Sequence, residues 1–300
     1  MPIIKKAIIP IAGLGTRFLA LSKVLPKELW PLVDKPVLQY IIEETVVSGI
    51  KEIIFVTKPG EAKVIKYFKN YFKKEPGLEE ILKKRKRNHL IKELKKLEKI
   101  SKRISFSQTF QKEPLGTSHA ILQVANLVKN EPCAVLYGDD VVESKTPCLW
   151  QMIKIFKKYQ KPVIALYRIP KESFKFYGMV EIEKVAKRLY KIKKVVEKPS
   201  VGKAPSNLAV VGKHIITPEV FDYLKKTSFD LKSDITLSTT LGEMAEMGND
   251  IYGYEFEGKW LECGNKLAYL KSNLYLSLKH PQFGKELRKF LAGMAKQKTR

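Results

Sequence analysis

A glycine-containing loop near the N-terminus has the residue types needed to hold the phosphates of a nucleotide. It follows an apolar run and reads Ala12-Gly13-Leu14-Gly15-Thr16-Arg17. Glycines allow backbone N–H groups to approach an anion, and the guanidinium of Arg17 can bind two phosphate oxygens at once. The loop predicts a triphosphate site, although two glycines in such a turn are equally expected of a tight turn without a ligand.

Two common nucleotide-binding motifs are excluded by the residues of this loop. A dinucleotide fingerprint needs a third glycine near Phe18 and an acidic residue at the end of the second strand, where Thr57 and Lys58 stand instead. The pattern GxxxxGK followed by Ser or Thr does not occur in the sequence. The loop therefore belongs to neither class.

The elements around the loop alternate between strands and helices. An apolar strand over Lys6–Ala12 leads through the loop to a helix over Val37–Ser48, and Gly49 then precedes a second strand over Lys51–Lys58. The alternation returns as a strand, a helix and a strand over Cys133–Tyr137, Pro147–Tyr159 and Pro162–Tyr167. These βαβ units predict an α/β fold with a Rossmann-like mixed, mainly parallel sheet flanked by helices.

Three further segments are predicted to be additions to this sheet. Leu78–Arg103 is helical and basic, and forms an insertion over about residues 75–103. The alternation over Met179–Val196 predicts a small antiparallel hairpin laid on the parallel core. Lys266–Met294 is helical and predicts a C-terminal arm. We therefore expect one large α/β domain over residues 1–264 and an arm over 265–300 that forms a homo-oligomer.

The charge of the chain favours anionic partners without choosing among them. Its 56 Lys and Arg residues exceed its 31 Asp and Glu residues by 25, which would attract phosphates, nucleic acid or an anionic membrane. A basic nucleic-acid-binding protein is thus one alternative, resting on the run Lys83-Lys84-Arg85-Lys86-Arg87. The sequence lacks the interleaved exposed aromatic residues and recognition motifs of that class. We expect most of the excess charge to lie on solvated helix faces.

Cysteine and histidine spacing gives no metal motif. The cysteines, Cys133, Cys148 and Cys263, include no CxxC pair, and the histidines are dispersed. No apolar run approaches the roughly 18 residues of a membrane helix. A reducing, cytoplasmic compartment is expected.

A series of spaced motifs runs along nearly the whole chain. They are Arg17, Leu25-Pro26-Lys27-Glu28, Pro31-Leu32-Val33-Asp34-Lys35-Pro36, Gln111-Lys112-Glu113-Pro114-Leu115-Gly116, Gly138-Asp139-Asp140, Tyr177-Gly178, Val196-Glu197-Lys198-Pro199 and Ala204-Pro205-Ser206-Asn207-Leu208-Ala209. In type and order they closely resemble the motifs of the sugar-nucleotide pyrophosphorylases, specifically the bacterial UTP–glucose-1-phosphate uridylyltransferases. The resemblance implies transfer of a uridylyl group from UTP to glucose 1-phosphate, with release of pyrophosphate.

The resemblance also implies roles for individual residues. Arg17 and Lys27 would grip the triphosphate, and Lys198 would hold the phosphate of the sugar. The nucleotide-binding positions are Ala12, Gly13, Gly15, Thr16, Gln111 and Gly116. By this resemblance, uracil would be contacted by the side-chain amide of Gln111 and by nearby backbone groups. Gly178 and Glu197 correspond to sugar-hydroxyl contacts.

A divalent cation is implied as cofactor, Mg²⁺ or else Mn²⁺. Its ligands would be Asp139, at the end of a strand, and Glu262. Asp140 is expected to point the other way as a structural acceptor. The family's Asp-Cys-Gly-Asp segment reads Glu262-Cys263-Gly264-Asn265 here, so the carboxylate at 262 is displaced by about 1 Å.

Two other segments also depart from the family pattern. Ser233-Asp234-Ile235-Thr236-Leu237-Ser238-Thr239 replaces Gly-Glu-Ile-Gln-Leu-Thr-Asp, and Ala20-Leu21-Ser22-Lys23 replaces Pro-Ala-Thr-Lys. The departures cluster on the sugar and metal side. They leave open a weakly active or inactive paralogue, or a pyrophosphorylase for another sugar phosphate or nucleotide.

Overall fold

Strands and helices alternate along the computed structural model, which describes residues 3–61, 63–71, 76–231 and 235–297. The strands are β1 (Lys6–Pro10), β2 (Pro31–Leu32), β3 (Lys35–Pro36), β4 (Glu52–Thr57), β5 (Ser105–Phe110), β6 (Cys133–Leu136), β7 (Asp140–Glu143), β8 (Val163–Arg168), β9 (Gly178–Ala186), β10 (Leu189–Glu197), β11 (Leu208–Ile216), β12 (Tyr252–Glu255) and β13 (Lys259–Glu262). The helices are α1 (Leu19–Ser22), α2 (Val37–Val47), α3 (Lys63–Tyr71), α4 (Pro76–Lys84), α5 (Asn88–Ser101), α6 (Gly116–Leu122), α7 (Ala125–Val128), α8 (Cys148–Tyr159), α9 (Pro218–Lys226), α10 (Leu237–Glu246), α11 (Lys266–Lys279) and α12 (Gly284–Gln297).

A nine-stranded sheet within these described ranges forms the centre of the fold. Its strand order is β5-β4-β1-β6-β11-β8-β12-β10-β9. Strands β10 and β11 each pair antiparallel with both neighbours, whereas the remaining neighbours pair in parallel. Two strands therefore run opposite to the other seven, and the sheet is mixed and mainly parallel as predicted.

Helices cover both faces of the sheet, which explains the continuous apolar runs of its central strands. On β1, Ala7 and Ile9 pack into the core beside α2 and α8, while Ile8 packs into the opposite core beside α6, α9 and α10. Strands buried on both faces lose the alternation of polar and apolar residues. The two cores fix the strand ends from which the loops of the site emerge.

The hairpin predicted over Met179–Val196 lies in the sheet rather than on it. Strands β9 and β10 pair with each other, and β10 also pairs with β12. Without β10, the edge of β12 would present unpaired backbone N–H and C=O groups, and a hairpin that adds to this edge satisfies them. The prediction that the hairpin is laid on the parallel core is therefore wrong, because its two strands belong to the sheet itself.

The basic insertion and the C-terminal segment are both helical. Helices α4 and α5 meet at Lys86, whose φ of 53° ends the first helix. Helix α11 packs against α12 and β13. None of the helices in the described part of the chain is long and apolar enough to cross a membrane.

Candidate active site

The loop after β1 is held in place by a hydroxyl group from α1. Ser22 Oγ lies 2.6 Å from the carbonyl oxygen of Gly15 and 2.8 Å from that of Phe18, so its hydroxyl donates to this turn. Gly15 has a φ of 66°, and a Cβ there would lie 2.9 Å from the Cβ of Ser22. Glycine is required at this position because other residues rarely adopt this backbone conformation, and because Ser22 lies where their Cβ would have to fit. Serine in place of the family's threonine thus keeps a hydroxyl that holds the loop.

A cavity of about 410 Å³ opens where the parallel strands β1, β5 and β6 end. Ligand sites of α/β sheets lie at this edge because the loops that leave the strands converge there. The walls include all the residues predicted to bind the nucleotide, namely Ala12, Gly13, Gly15, Thr16, Gln111 and Gly116. Arg17, Lys27 and Asp139 line the same cavity.

The side of this cavity assigned to uracil is rigidly built. Gln111 is buried, and its amide nitrogen donates to the carbonyl oxygen of Gly116 at 2.9 Å and lies 3.1 Å from Nδ1 of His119. Gly116 has a φ of 87°, and a Cβ there would lie 2.5 Å from the carbonyl oxygen of Ile235. The amide of Gln111 therefore has a fixed orientation.

A second cavity, of about 220 Å³, adjoins the first. It is lined by the predicted sugar-side residues Gly178, Glu197 and Lys198 and by Glu262. Arg17, Tyr137 and Asp139 line both cavities. A molecule in either cavity can therefore reach the junction at these three residues, and the fold brings every predicted site residue into one of the two cavities.

Asp139 carries a negative charge at this junction. Lys27 donates to its Oδ2 at 2.5 Å. Burial on its own would raise the pKa of Asp139, but the positive charges of Lys27 and Arg17 hold that pKa below its usual range. Burial in turn would lower the pKa of Lys27, yet Asp139 and Glu28 raise it above its ordinary value. Both members of the pair are ionised at neutral pH.

A second carboxylate, that of Glu262, converges with Asp139 on Gly264. A Cβ at Gly264 would lie 2.8 Å from Asp139 Oδ2 and 3.0 Å from Glu262 Oε1. Burial, with Asp140 and Asp139 nearby, raises the pKa of Glu262 to about 7. Two carboxylate oxygens around a point without a side chain fit a hard divalent cation, which takes oxygen ligands and keeps positions for substrate phosphates. Among the described residues, no group of three or more His, Cys, Asp and Glu side chains is arranged to hold a metal ion.

Asp140 is a structural acceptor, as predicted. Its Oδ2 accepts from the backbone N–H of Gly212 at 3.0 Å, and its Oδ1 accepts from the indole N–H of Trp260 at 2.7 Å. Burial and the neighbouring charge of Asp139 raise its pKa to about 6. Asp140 thereby ties β7 to β11 and β13, and it also lines the second cavity.

On the sugar side, Lys198 and Glu197 form an ion pair at the mouth of the second cavity. Lys198 Nζ lies 3.3 Å from Glu197 Oε1, and the Lys198 side chain is 49% exposed. A Cβ at Gly178 would lie 3.0 Å from Glu197 Oε2. Glycine at 178 thus leaves room for the carboxylate of Glu197, and the ammonium group of Lys198 remains partly exposed.

Several residues of the site escaped the sequence analysis. Glu28 is buried in the wall of the first cavity, and burial raises its pKa to about 7. Its position next to Lys27, in the motif Leu25-Pro26-Lys27-Glu28, could have identified Glu28 as a site residue. Thr236 and Ser238 line the second cavity, in the segment noted above for departing from the family pattern. Ser233 and Asp234 of that segment lie outside the described residues.

Comparisons with known proteins identify the family of this chain. The model of the Nucleotidyl transferase family matches residues 6–277. A UTP–glucose-1-phosphate uridylyltransferase of Staphylococcus haemolyticus is 40% identical over 294 residues, which cover 96% of this chain and 97% of that protein. The enzyme of the same name from Bacillus subtilis is 37% identical over 291 residues, 97% of each chain.

A solved structure supports the same assignment. A UDP-glucose pyrophosphorylase complexed with UDP-glucose is similar in fold, with a TM-score of 0.81, 34% identity, and coverage of 93% of this chain and 100% of that one. The family resemblance predicted from the motifs is therefore confirmed. This chain belongs to the nucleotidyl transferase family, among the UTP–glucose-1-phosphate uridylyltransferases.

Proposed function

We propose that this chain transfers the uridylyl group of UTP to glucose 1-phosphate, with UDP-glucose and pyrophosphate as products. The observation that carries the proposal is the junction of two cavities at Arg17, Tyr137 and Asp139. Transfer between a nucleotide and a sugar phosphate needs two binding spaces that meet at the reacting phosphates. The nearly full-length relatives named for this reaction support the choice of substrates.

The chemistry is an in-line displacement at the α-phosphorus of UTP. A phosphate oxygen of glucose 1-phosphate forms the new P–O bond, and the bond to the β-phosphate breaks as pyrophosphate leaves. The attacking phosphate is already anionic near pH 7, so no general base is needed. The protein contributes alignment and positive charge.

Three cationic side chains supply that charge. Arg17 Nη1 donates to the carbonyl oxygen of Gly264 at 3.1 Å, which anchors the guanidinium at the junction and leaves its other N–H groups for the triphosphate. Lys27 lines the nucleotide cavity and would grip the same phosphates. Lys198, at the mouth of the second cavity, would hold the phosphate of the sugar.

Recognition of the substrates falls to neighbouring groups. The loop residues Ala12, Gly13, Gly15 and Thr16 would offer backbone N–H groups to the nucleotide, and Gln111 with the backbone of Gly116 would contact uracil. Glu197 and the backbone of Gly178 would contact hydroxyl groups of glucose. An amide and a carboxylate in fixed positions select a ligand by its pattern of donors and acceptors.

We also propose that Asp139 and Glu262 hold a divalent cation, with Mg²⁺ as the first choice and Mn²⁺ as the alternative. The support is their convergence on Gly264 and the ionised state of Asp139. When bound, the cation would neutralise phosphate charge between the two substrates. Lys27 keeps Asp139 ionised and so ready to act as a ligand.

The test is a matrix of substrates. Pyrophosphate release is measured with Mg²⁺ for UTP, TTP, CTP, ATP and GTP, each against glucose 1-phosphate and other sugar 1-phosphates. We expect the highest kcat/KM for UTP with glucose 1-phosphate. A higher value for another sugar would support the alternative of a pyrophosphorylase for that sugar phosphate, with Thr236 and Ser238 as changed residues in the lining of the second cavity. No release for any pair, with Mg²⁺ or Mn²⁺, would refute the proposal.

The C-terminal arm is proposed to join copies of this chain. Helix α11 exposes Leu267 and Leu270, and α12 exposes Phe290 and Met294. Apolar side chains of this size are stabilised when a second copy covers them. Light scattering after size exclusion should give a mass above the monomer, and Leu267→Ser with Leu270→Ser should lower it. A monomeric wild type would contradict the proposal.

A further inference from the structure

The first turns of helices α6 and α10 satisfy each other's backbone donors. The N–H of Ser118, in the first turn of α6, donates to the carbonyl oxygen of Ile235 at 3.1 Å. The N–H of Leu237, the first residue of α10, donates to Oγ1 of Thr117 at 3.1 Å. The first N–H groups of a helix have no partner within the helix itself. Each of these two helix starts therefore receives a hydrogen-bond partner from the other.

The two helix starts belong to different cavities. Thr117 lines the first cavity, to which the nucleotide is assigned, but not the second. Thr236 and Ser238 stand on either side of Leu237, and they line the second cavity but not the first. The hydroxyl group of Thr117 therefore connects the wall assigned to the nucleotide with the wall assigned to the sugar.

The same hydroxyl group also contacts the junction of the two cavities. Thr117 Oγ1 lies 3.0 Å from the hydroxyl oxygen of Tyr137, which lines both cavities, and either hydroxyl can donate. The backbone N–H of Tyr137 donates to the carbonyl oxygen of Gly212 at 2.7 Å. A Cβ at Gly212 would lie 2.5 Å from a ring carbon of Tyr137. The ring is thus packed against β11, and the hydroxyl at its far end is held by Thr117.

We propose that Thr117 is a positioning residue for the sugar side of the site, although it lies in the wall of the nucleotide cavity. Its Oγ1 accepts from Leu237 and pairs with Tyr137, so one hydroxyl group fixes the start of α10 relative to the tyrosine at the junction. The inference rests on the proposed function, which assigns the second cavity to glucose. Valine at position 117 has nearly the shape of threonine but makes neither hydrogen bond, so a backbone N–H and a phenolic hydroxyl lose this partner.

The experiment compares two ligands, of which one carries the sugar and the other does not. UDP and UDP-glucose share the uridine and both phosphates. Their dissociation constants are measured by isothermal titration calorimetry with Mg²⁺ and without pyrophosphate, so that no turnover occurs. In Thr117→Val we expect the dissociation constant of UDP-glucose to rise about ten-fold more than that of UDP, because an unpaired buried donor costs about that factor. In steady-state assays, KM for glucose 1-phosphate should likewise rise more than KM for UTP.

Three further variants separate the role of this hydroxyl group from general damage to the fold. Thr117→Ser keeps a hydroxyl at the same position and should keep the wild-type ratio of the two dissociation constants. Thr45→Val removes a buried hydroxyl that donates to the Ile41 carbonyl oxygen at 2.6 Å within α2, and it should also keep that ratio. Tyr137→Phe should change the ratio in the same direction as Thr117→Val. The double variant should lose less than the product of the two single losses, because the two hydroxyl groups contact each other.

The outcomes distinguish this inference from the function on which it rests. If the wild type binds neither UDP nor UDP-glucose, the proposed function fails and this inference fails with it. If the wild type binds both and Thr117→Val keeps the wild-type ratio, only the positioning role is overturned. Equal weakening of both ligands, or a ratio in Thr117→Ser as altered as that of the valine variant, would overturn it as well. If Thr117→Val does not fold, Tyr137→Phe decides, and an unchanged ratio in that variant would refute the inference.

Discussion

One methyl group added at Gly264 tests the convergence of the two carboxylates without altering either of them. The new Cβ would lie 2.8 Å from Asp139 Oδ2, 3.0 Å from Glu262 Oε1 and 3.4 Å from a guanidinium nitrogen of Arg17. Real Cβ atoms essentially never approach another heavy atom below 3.0 Å. Gly264 does not have a positive φ, so alanine fits the backbone and the strain falls on the carboxylates.

The size of the effect follows from these distances. Insertion of a methyl group into a filled site costs about 1–3 kcal/mol when side chains must shift. A displacement of a reacting arrangement by about 1 Å can lower a rate by about 10²-fold, and here the carboxylates must move by only part of that distance. We therefore expect Gly264→Ala to lower kcat with Mg²⁺ by about 10-fold to 100-fold, with a smaller change in KM for UTP.

The assay is steady-state pyrophosphate release, with melting temperature measured in parallel. Gly202→Ala is the matched control, because a Cβ at Gly202 has nothing within 4 Å and φ there is not positive. The control should keep the wild-type kcat. If Gly264→Ala also keeps it, the carboxylates of Asp139 and Glu262 do not converge on a functional point, and the proposed cation site is wrong.

Three further predictions follow from other contacts of the site and core. Asp139→Asn should lower kcat by at least about 10²-fold while circular dichroism stays native; retention of most of the rate would refute its metal role. Gly116→Ala should raise KM for UTP and destabilise the fold by about 1–3 kcal/mol, since its Cβ would lie 2.5 Å from Ile235 O; unchanged urea unfolding would contradict this. Burial lowers the pKa of His214 from 6.5 to about 3, so between these pH values His214 is protonated in the unfolded state but not in the folded state. The unfolding free energy should therefore fall by up to about 1.4 kcal/mol for each pH unit by which the pH is lowered below 6.5, and an equal slope in His214→Gln would refute the assignment.

Local patterns in the sequence predicted the elements well because periodicity and turn residues act over short distances. The strand, loop, helix and strand from Lys6 to Lys58 follow from apolar runs and from glycines in positions that need them. The hairpin over Met179–Val196 was placed wrongly because strand spacing does not say which sheet edge lacks a partner. Register and neighbours depend on the whole sheet, and here β12 supplied the free edge.

The spacing of residues along the sequence could not predict which side chains meet across the site. Lys27 and Asp139 meet although 112 positions separate them, and Gly116 packs against Ile235. No periodic pattern encodes such pairs. The motifs brought these residues to notice only through their resemblance to a family, which names positions but does not say which atoms touch. The buried state of Glu28 likewise needed the fold, because a charged residue in a motif is exposed by default.

The departures from the family pattern acquire a different meaning once their partners are known. Four residues each replace a family residue, and each one on its own would be interpreted as a loss of function: Glu262, Asn265, Thr236 and Thr239. In the structure they form two pairs. Thr236 and Thr239 exchange side-chain and backbone hydrogen bonds at 3.1 Å in a capping box that begins α10, and Asn265 donates to Glu262. Substitutions that contact each other are not additive, so a count of changed residues overstates the loss, and the integrity of each pair is the better guide to whether the site still works.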